Sequence, residues 1–519
     1  MFYPKNSSVR FVLLLLLFST NLTAQIIQNV ELEVVGRPSW QNIITIGKNG
    51  LLLFVKTDQA KAKAVMYDGD LQKKWESDIF LDVERAPTAY TFNQEQITFL
   101  FRETSGMYYQ VLIFDLATGI FKNRGFELRD FFEDQSYVFL KNKVILAGAT
   151  KESAAFYTYD FETEVGKMTL LNIKGKVVLQ EMNYDEKSKK IHSIWSVKEI
   201  AYTNAKKKRG EYIKDAFLNV SVFDTAANVL ETNKISQKFG NFPMTAKSVL
   251  MPDDSRVIVG TYQSKDSQRG VFYLPDYKKN ASNIAFKPFS DLLQVQSEIP
   301  EVELQKILKE YTFLMHEPIF SNQSLTMGGA FYKPEYKTVS QQVYNPYDNF
   351  SSNRNSGFGR SNTRSQTVFS GYNYSIGFIA NVQFHDGSVV SNRIDIKQMS
   401  PQIRQPLSFN NAGSVAYCVR GNLATKNFNI GTKPILYKLS EEELTASNQS
   451  FLPAFQEVKF WHDNYFIANG SKNKLEVLKV AAKAESGGKK RKKNQSATFT
   501  QVRKTIYLTK IASGSVNQN

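Results

Sequence analysis

Hydrophobic and polar positions alternate with a period of two along most of this chain. Residues 42–46, 51–55, 97–101, 143–147 and 256–260 are short runs rich in aliphatic, β-branched or aromatic residues, bounded by turn formers. Gly47-Lys48-Asn49-Gly50 separates the first two, and Thr104-Ser105-Gly106 separates 97–101 from 108–114, so each pair predicts a hairpin. A second pattern lies over the first: an apolar run, an acidic or polar turn, and another run. It recurs as AVMYDGDLQKKW (64–75), VLIFDLATGIF (111–121), AFYTYDFETEV (155–165), LNVSVFDTAANVL (218–230), VFYLPDYKKN (271–280), FIANVQFHDGSVV (378–390) and ILYKLSEEEL (435–444).

Strand, turn, strand, then the acidic-turn hairpin makes about four strands per unit. The acidic residues step from Asp68 to Asp115 to Asp160 at intervals of 47 and 45 residues, then to Asp224 and Asp276. Four-stranded propeller blades repeat every ~40–50 residues. The chain therefore reads as an all-β propeller of seven or eight four-stranded blades, its sheets stacked radially to bury both faces. The long step from Asp276 to Asp386 holds either one blade with a large insertion or two blades. Residues 29–35, NVELEVV, form a lone strand, expected to close the ring beside Ile506-Tyr507-Leu508.

Three stretches break the repeat. Residues 300–311 predict a helix, with Leu304, Ile307, Leu308 and Tyr311 on one face and Pro300 at its first position, packed on the rim. The helix belongs to an insertion spanning 291–372. Within it, 337–370 is polar and Gly-bearing and reads as a mobile loop that the fold can lose. Two basic loops, 201–212 with Lys206-Lys207-Lys208-Arg209 and 485–498 with Lys489-Lys490-Arg491-Lys492-Lys493, read as solvated turns; the second divides a hairpin at 474–509.

The first 24 residues read as a cleaved signal peptide. Lys5 and Arg10 precede the apolar run 11–18, and cleavage is expected after Ala24, leaving a single propeller domain over 25–519. No other window is apolar enough to span a bilayer. Cys418 is the one cysteine, so the chain forms no internal disulfide; its alternating strand GSVAYCVRG makes it a buried structural thiol. The formal charge is +16, which favours anionic partners.

Candidate chemistry is sparse. His192, His316, His385 and His462 lie far apart, and no zinc-ligand spacing, GxSxG elbow, P-loop or calcium loop occurs. The sequence therefore nominates no catalytic, cofactor-binding or metal-binding residue and implies no cofactor. Aspartates recurring at equivalent turns are expected to hold those turns. Tyrosines near 344, 347, 372 and 374, interleaved with Arg354, Arg360 and Arg364, are candidates for stacking on sugars.

The hydrophobic-Asp hairpins, together with the helix followed by FLMHEPIFSNQSLTMGGAFY and the later YNYSIGFIANVQFHDGSVVSNRIDIKQ, make the chain resemble secreted β-propeller proteins of Bacteroidota. That resemblance implies a fold and no activity. The expectation is a secreted or periplasmic, non-catalytic binding or scaffolding propeller of the cell envelope. Its partner would be a protein or an anionic glycan and not nucleic acid. The alternative is an envelope hydrolase with a site assembled in the central channel from distant residues.

Overall fold

The second strand of the first sheet, Leu51–Asp58, shows how the period of two becomes architecture. Successive side chains leave a strand on opposite faces. Leu52 and Phe54 pack against the next sheet with Phe99, Phe101 and Phe114, while Leu51, Leu53 and Val55 pack against the previous one with Ile506 and Leu508. Both faces are buried, so the strand reads as an unbroken apolar run. The same division sends Phe99 and Phe101 toward one neighbour and Leu100 toward the other.

A computed structural model describes residues 26–35, 39–104, 106–128, 132–150, 153–173, 175–203, 210–278, 283–294, 299–321, 323–343, 362–427, 434–437, 454–480 and 497–513. These form eight antiparallel sheets, the blades of a β-propeller. Blades 1 to 7 cover 41–80, 89–127, 133–170, 176–235, 241–288, 312–400 and 407–437, and blade 8 combines 454–512 with 26–35. One apolar cluster fills each of the eight blade-to-blade interfaces. The blade count is thus eight. The long step from Asp276 to Asp386 is one blade with an insertion, because both residues sit at the turn between the third and outer strands, in blades 5 and 6.

The acidic residues act at these turns as expected. Asp68 Oδ1 accepts the N–H groups of Asp70 and Gln72 at 2.9 and 2.8 Å, and Asp115 Oδ1 accepts those of Ala117 and Thr118 at 3.0 and 2.8 Å. Asp160, Asp224 and Asp386 do the same in blades 3, 4 and 6. The carboxylate satisfies backbone donors that the tight turn leaves without ladder partners. The seventh occurrence differs. Ile435–Tyr437 is the outer strand of blade 7, paired with Asn422–Asn427, and residues 438–444 lie outside the described residues.

Closure follows the sequence reading. Ile26–Val35 pairs antiparallel with Ala497–Ala512, with Val30 opposite Leu508, Glu31 opposite Tyr507 and Leu32 opposite Ile506. Ile26–Val35 is therefore the outer strand of the blade that residues 454–512 build. Cys418 is fully buried between blades 7 and 8, where burial pushes its thiol pKa up.

Two helices, α1 (Phe289–Leu293) and α2 (Glu301–Glu310), link blades 5 and 6. Leu304 and Ile307 bury against Phe289, Leu293, Val257 and Leu325, so α2 wedges between two blades. Pro300 is the N-cap rather than the first helical residue; its ψ of 129° is non-helical and places it just outside the helix. The short α1 has too few turns to show a helical period in the sequence.

Two loop expectations fail, that of the basic loop 201–212 in part, since 201–203 and 210–212 are paired strand; the other fails more widely. Residues 337–343 and 362–370 belong to strands: Ser324–Val343 and Asn362–Gln383 stay paired out to Val343 opposite Asn362. A two-stranded ribbon satisfies its backbone by the ladder and needs no apolar face to do so. Only 344–361 remain outside the described residues there, as do the expected signal peptide, the basic cluster 206–209 and most of 485–498.

Candidate functional site

The innermost strands define the propeller axis. Inner strands of successive blades pack on each other, 2 on 3, 3 on 4, 4 on 5, 7 on 8 and 8 on 1. Their polar side chains form a belt that steps from blade to blade. Gln135 Oε1 of blade 3 accepts the Leu179 N–H of blade 4 at 2.6 Å. Glu181 Oε2 of blade 4 accepts from Ser248 N and Oγ of blade 5 at 2.8 and 2.5 Å. Lys247 of blade 5 pairs with Glu317 of blade 6. His316 Nε2 meets Ser408 Oγ of blade 7 at 3.2 Å, Ser408 Oγ accepts the Phe460 N–H of blade 8 at 2.8 Å, and Lys459 Nζ donates to the Ile43 carbonyl of blade 1 at 2.7 Å. Blades 1 to 3 are joined through second- and third-strand residues. Gln110 Oε1 accepts the N–H groups of Asp82 and Val83, and Arg102 pairs with Asp134 at 2.6 Å.

This belt gathers the groups a channel hydrolase would need, a histidine, carboxylates and a serine, so their geometry matters. His316 Nδ1 lies 2.9 Å from the Glu317 carbonyl, which makes Nδ1 the donor and leaves Nε2 to accept the Ser408 hydroxyl. Burial lowers the imidazole pKa, favouring the neutral ring, and Phe409 packs on it at 4.5 Å. Ser408, however, is 1% exposed and its oxygen already accepts from Phe460. A nucleophile needs an accessible oxygen and a base oriented by a third group; here the hydroxyl is walled in. The pair braces blades 6, 7 and 8. Glu181 is held above the ordinary carboxyl range, first by burial and then by the Glu317 charge, against the Ser248 hydrogen bonds and Lys247. At Glu457, burial pushes the carboxyl up, but Lys459, Arg404 and Asn469 outweigh it and hold it below the usual range.

The other histidines do not join this cluster. His192 stands in the second strand of blade 4, His385 meets Asp386 at 3.2 Å in a turn, and His462 meets Asp463 at 3.1 Å at the end of the blade 8 inner strand. Among the described residues no group of three or more His, Cys, Asp or Glu side chains could hold a metal ion, and no helix is long and apolar enough to cross a membrane. Glu181, Lys247, Glu317 and Ser408 carry no local motif. Each belongs to a different blade, so sequence spacing could not reveal them.

A second feature distinguishes one face of the ring. In blades 1, 2, 3, 5 and 7 a short turn joins the second and third strands. In blades 4, 6 and 8 these strands run on as two-stranded arms. In blade 4 pairing continues past the inner strand to Thr203 opposite Gly210, in blade 6 to Val343 opposite Asn362, and in blade 8 to Val480 opposite Ala497. At ~3.4 Å per residue the arms extend roughly 17–37 Å beyond the inner strands. Because strands alternate in direction, all three connections open on the same face. Residues 204–209, 344–361 and 481–496 link the arm ends, and the two basic clusters fall within them.

The proposed sugar-stacking tyrosines fare less well. Tyr374 is 1% exposed and its hydroxyl is engaged by the Arg404 backbone at 2.8 and 2.9 Å. Tyr372 is wedged edge-on between Tyr332 and Phe369, and Phe369 meets Tyr336 edge-on at 5.8 Å. Rings crossed at 66–73° make no flat platform for a pyranose. Tyr344, Tyr347, Arg354 and Arg360 lie outside the described residues, as does the side chain of Arg364.

No family model and no curated protein matches the chain. Solved structures that align with the chain include the polysaccharide lyase Uly1, at 8% identity over 85% of this chain and 92% of that one, with a TM-score of 0.39. Dipeptidyl peptidase 4 of Porphyromonas gingivalis aligns at 9% identity over 83% of this chain and 56% of its own, with a TM-score of 0.38. Cobalt-substituted apocarotenoid oxygenase of Synechocystis aligns at 8% identity over 48% and 59%, with a TM-score of 0.32. The chain spans little more than half the length of the last two.

Proposed function

We propose that this chain is a secreted or periplasmic binding and scaffolding propeller of the cell envelope that docks anionic glycan on the face bearing its three arms. One observation carries the reading. The arms of blades 4, 6 and 8 open on a single face, and the segments joining their ends include Lys206-Lys207-Lys208-Arg209 and Lys489-Lys490-Arg491-Lys492-Lys493. Those clusters supply more than half of the formal charge of +16. Basic clusters in segments that join arm ends of one face would attract a polyanion at long range, and such attraction weakens with salt. The braced axial belt favours a rigid platform over a channel nucleophile.

The test is retention of the purified protein on immobilised polygalacturonate, with dextran as the neutral control, across a salt series. Retention should fall steeply with salt and should be lost when both basic clusters are replaced by serine. Equal behaviour on dextran, or retention unchanged in the serine variant, overturns the reading.

A further inference from the structure

On the face opposite the arms, blades 4 and 5 part to leave a cleft of about 430 Å³, within the size range of small-molecule sites. It is built where turns meet. The turn after Lys176–Asp185 and the start of Lys190–Thr203 form one wall, and the start of Arg256–Ser264 with Tyr277 and Lys278 forms the other.

Four acidic and four basic residues line it, but internal pairing removes most of the acids from play. Glu231 is paired with Lys278 at 2.7 Å, which also ties the two blades together. Asp185 accepts the Lys187 N–H at 3.0 Å and the Ser188 hydroxyl at 2.7 Å within its own turn. Asp276 is likewise engaged. The cations are freer. Arg256 is half-buried and donates Nη1 to Ser248 Oγ at 3.0 Å; among the described residues neither it nor Lys190 has a carboxylate within ion-pair distance, although their charges act on Asp185 and Glu231, respectively. Two buried polar atoms at the cleft also lack a partner among the described residues: the Tyr277 hydroxyl, on a residue 2% exposed, and His192 Nδ1. Buried polar groups are nearly always satisfied, so an unpaired hydroxyl and ring nitrogen beside a guanidinium bonded only to a serine hydroxyl mark a place where a ligand completes the bonding.

We propose that this cleft binds a small carboxylate of monosaccharide size, with Arg256 and Lys190 taking the carboxylate and Tyr277 and His192 taking its remaining oxygens. A guanidinium fork matches a carboxylate, and a charge-assisted bond of this kind outweighs a neutral one. The depressed pKa of His192, set by burial and then by Arg256, keeps the ring neutral at pH 7, able to donate or accept at Nδ1. The inference does not depend on the polyanion reading, because it concerns the other face and other residues.

The experiment is calorimetric titration of the full chain with D-galacturonate, with D-galactose and inorganic phosphate as parallel probes. Galacturonate should bind with one site per chain, galactose should not, and Arg256→Gln should weaken binding roughly tenfold or more. Lys190→Gln, at an exposed position that cannot unsettle the fold, should weaken it by a smaller factor. Galactose binding as tightly as galacturonate, phosphate binding where galacturonate does not, or an Arg256→Gln variant that folds and binds unchanged would each overturn the assignment. The serine variant of the basic clusters should bind galacturonate normally, which separates this site from the arms.

Discussion

Glu181 shows how one residue on the axis couples proton binding to the stability of the ring. Its carboxyl is pushed above the ordinary value of 4.5 by burial, reinforced by Glu317 and opposed by Ser248 and Lys247. The folded protein therefore keeps this proton at pH values where the unfolded chain has lost it. Between the ordinary glutamate range and the raised folded value the native state binds more protons, so stability from this group falls as pH rises. Glutamine at 181 retains an oxygen to accept the Ser248 N–H and removes the ionisation. In melts of Glu181→Gln beside the parent from pH 4 to 8, the variant should gain on the parent as pH rises. A difference constant across the range would mean that Glu181 ionises as freely in the fold as out of it. The same residue also marks the limit of sequence reading: nothing in the run Leu179-Gln180-Glu181-Met182 distinguishes it from a surface glutamate.

At the scale of elements, the arm of blade 6 holds the clearest prediction. Val343 and Asn362 already stand opposite each other at its end. Replacing 344–361 by Asn-Gly would join them with a two-residue hairpin turn of the kind that suits strand twist. The melting temperature should stay within a few degrees of the parent, since the blade core lies below, at Phe331, Ile376 and Phe378. A loss of many degrees in a differential scan would show that these residues pack on the ring. This arm is also where the sequence misled. Composition marked 337–370 as loop because aliphatics are scarce, yet Thr338, Val339, Thr363, Thr367 and Val368 are strand formers, and that was the usable signal. The acidic turns were legible because an Asp at a tight turn acts locally. The axial belt and the blade 4–5 cleft were not, because their residues meet only once the sheets have stacked, and no spacing in one strand encodes a neighbour in the next blade.

The whole molecule depends on the first strand of the described residues, which completes the last blade. Ile26–Val35 completes blade 8, with Val34, Leu32 and Val30 covering Ile506 and Leu508. Without it blade 8 keeps three strands, and Ala497–Ala512 becomes an edge with a free row of backbone donors and acceptors. Each well-buried aliphatic side chain contributes about 1.5–3 kcal/mol, so removing this strand should cost several kcal/mol and open the ring at one seam. Two truncations separate the closing strand from whatever precedes it. A chain beginning at Ile26 should melt with the full-length protein. A chain beginning at Pro38 should melt many degrees lower and self-associate through the exposed edge, read by light scattering after gel filtration. If the shorter chain stayed monomeric and equally stable, the lateral contacts of blade 8, Lys459 on the Ile43 carbonyl and Trp461 Nε1 on the Gly50 carbonyl at 2.9 Å, would be enough to close the ring unaided.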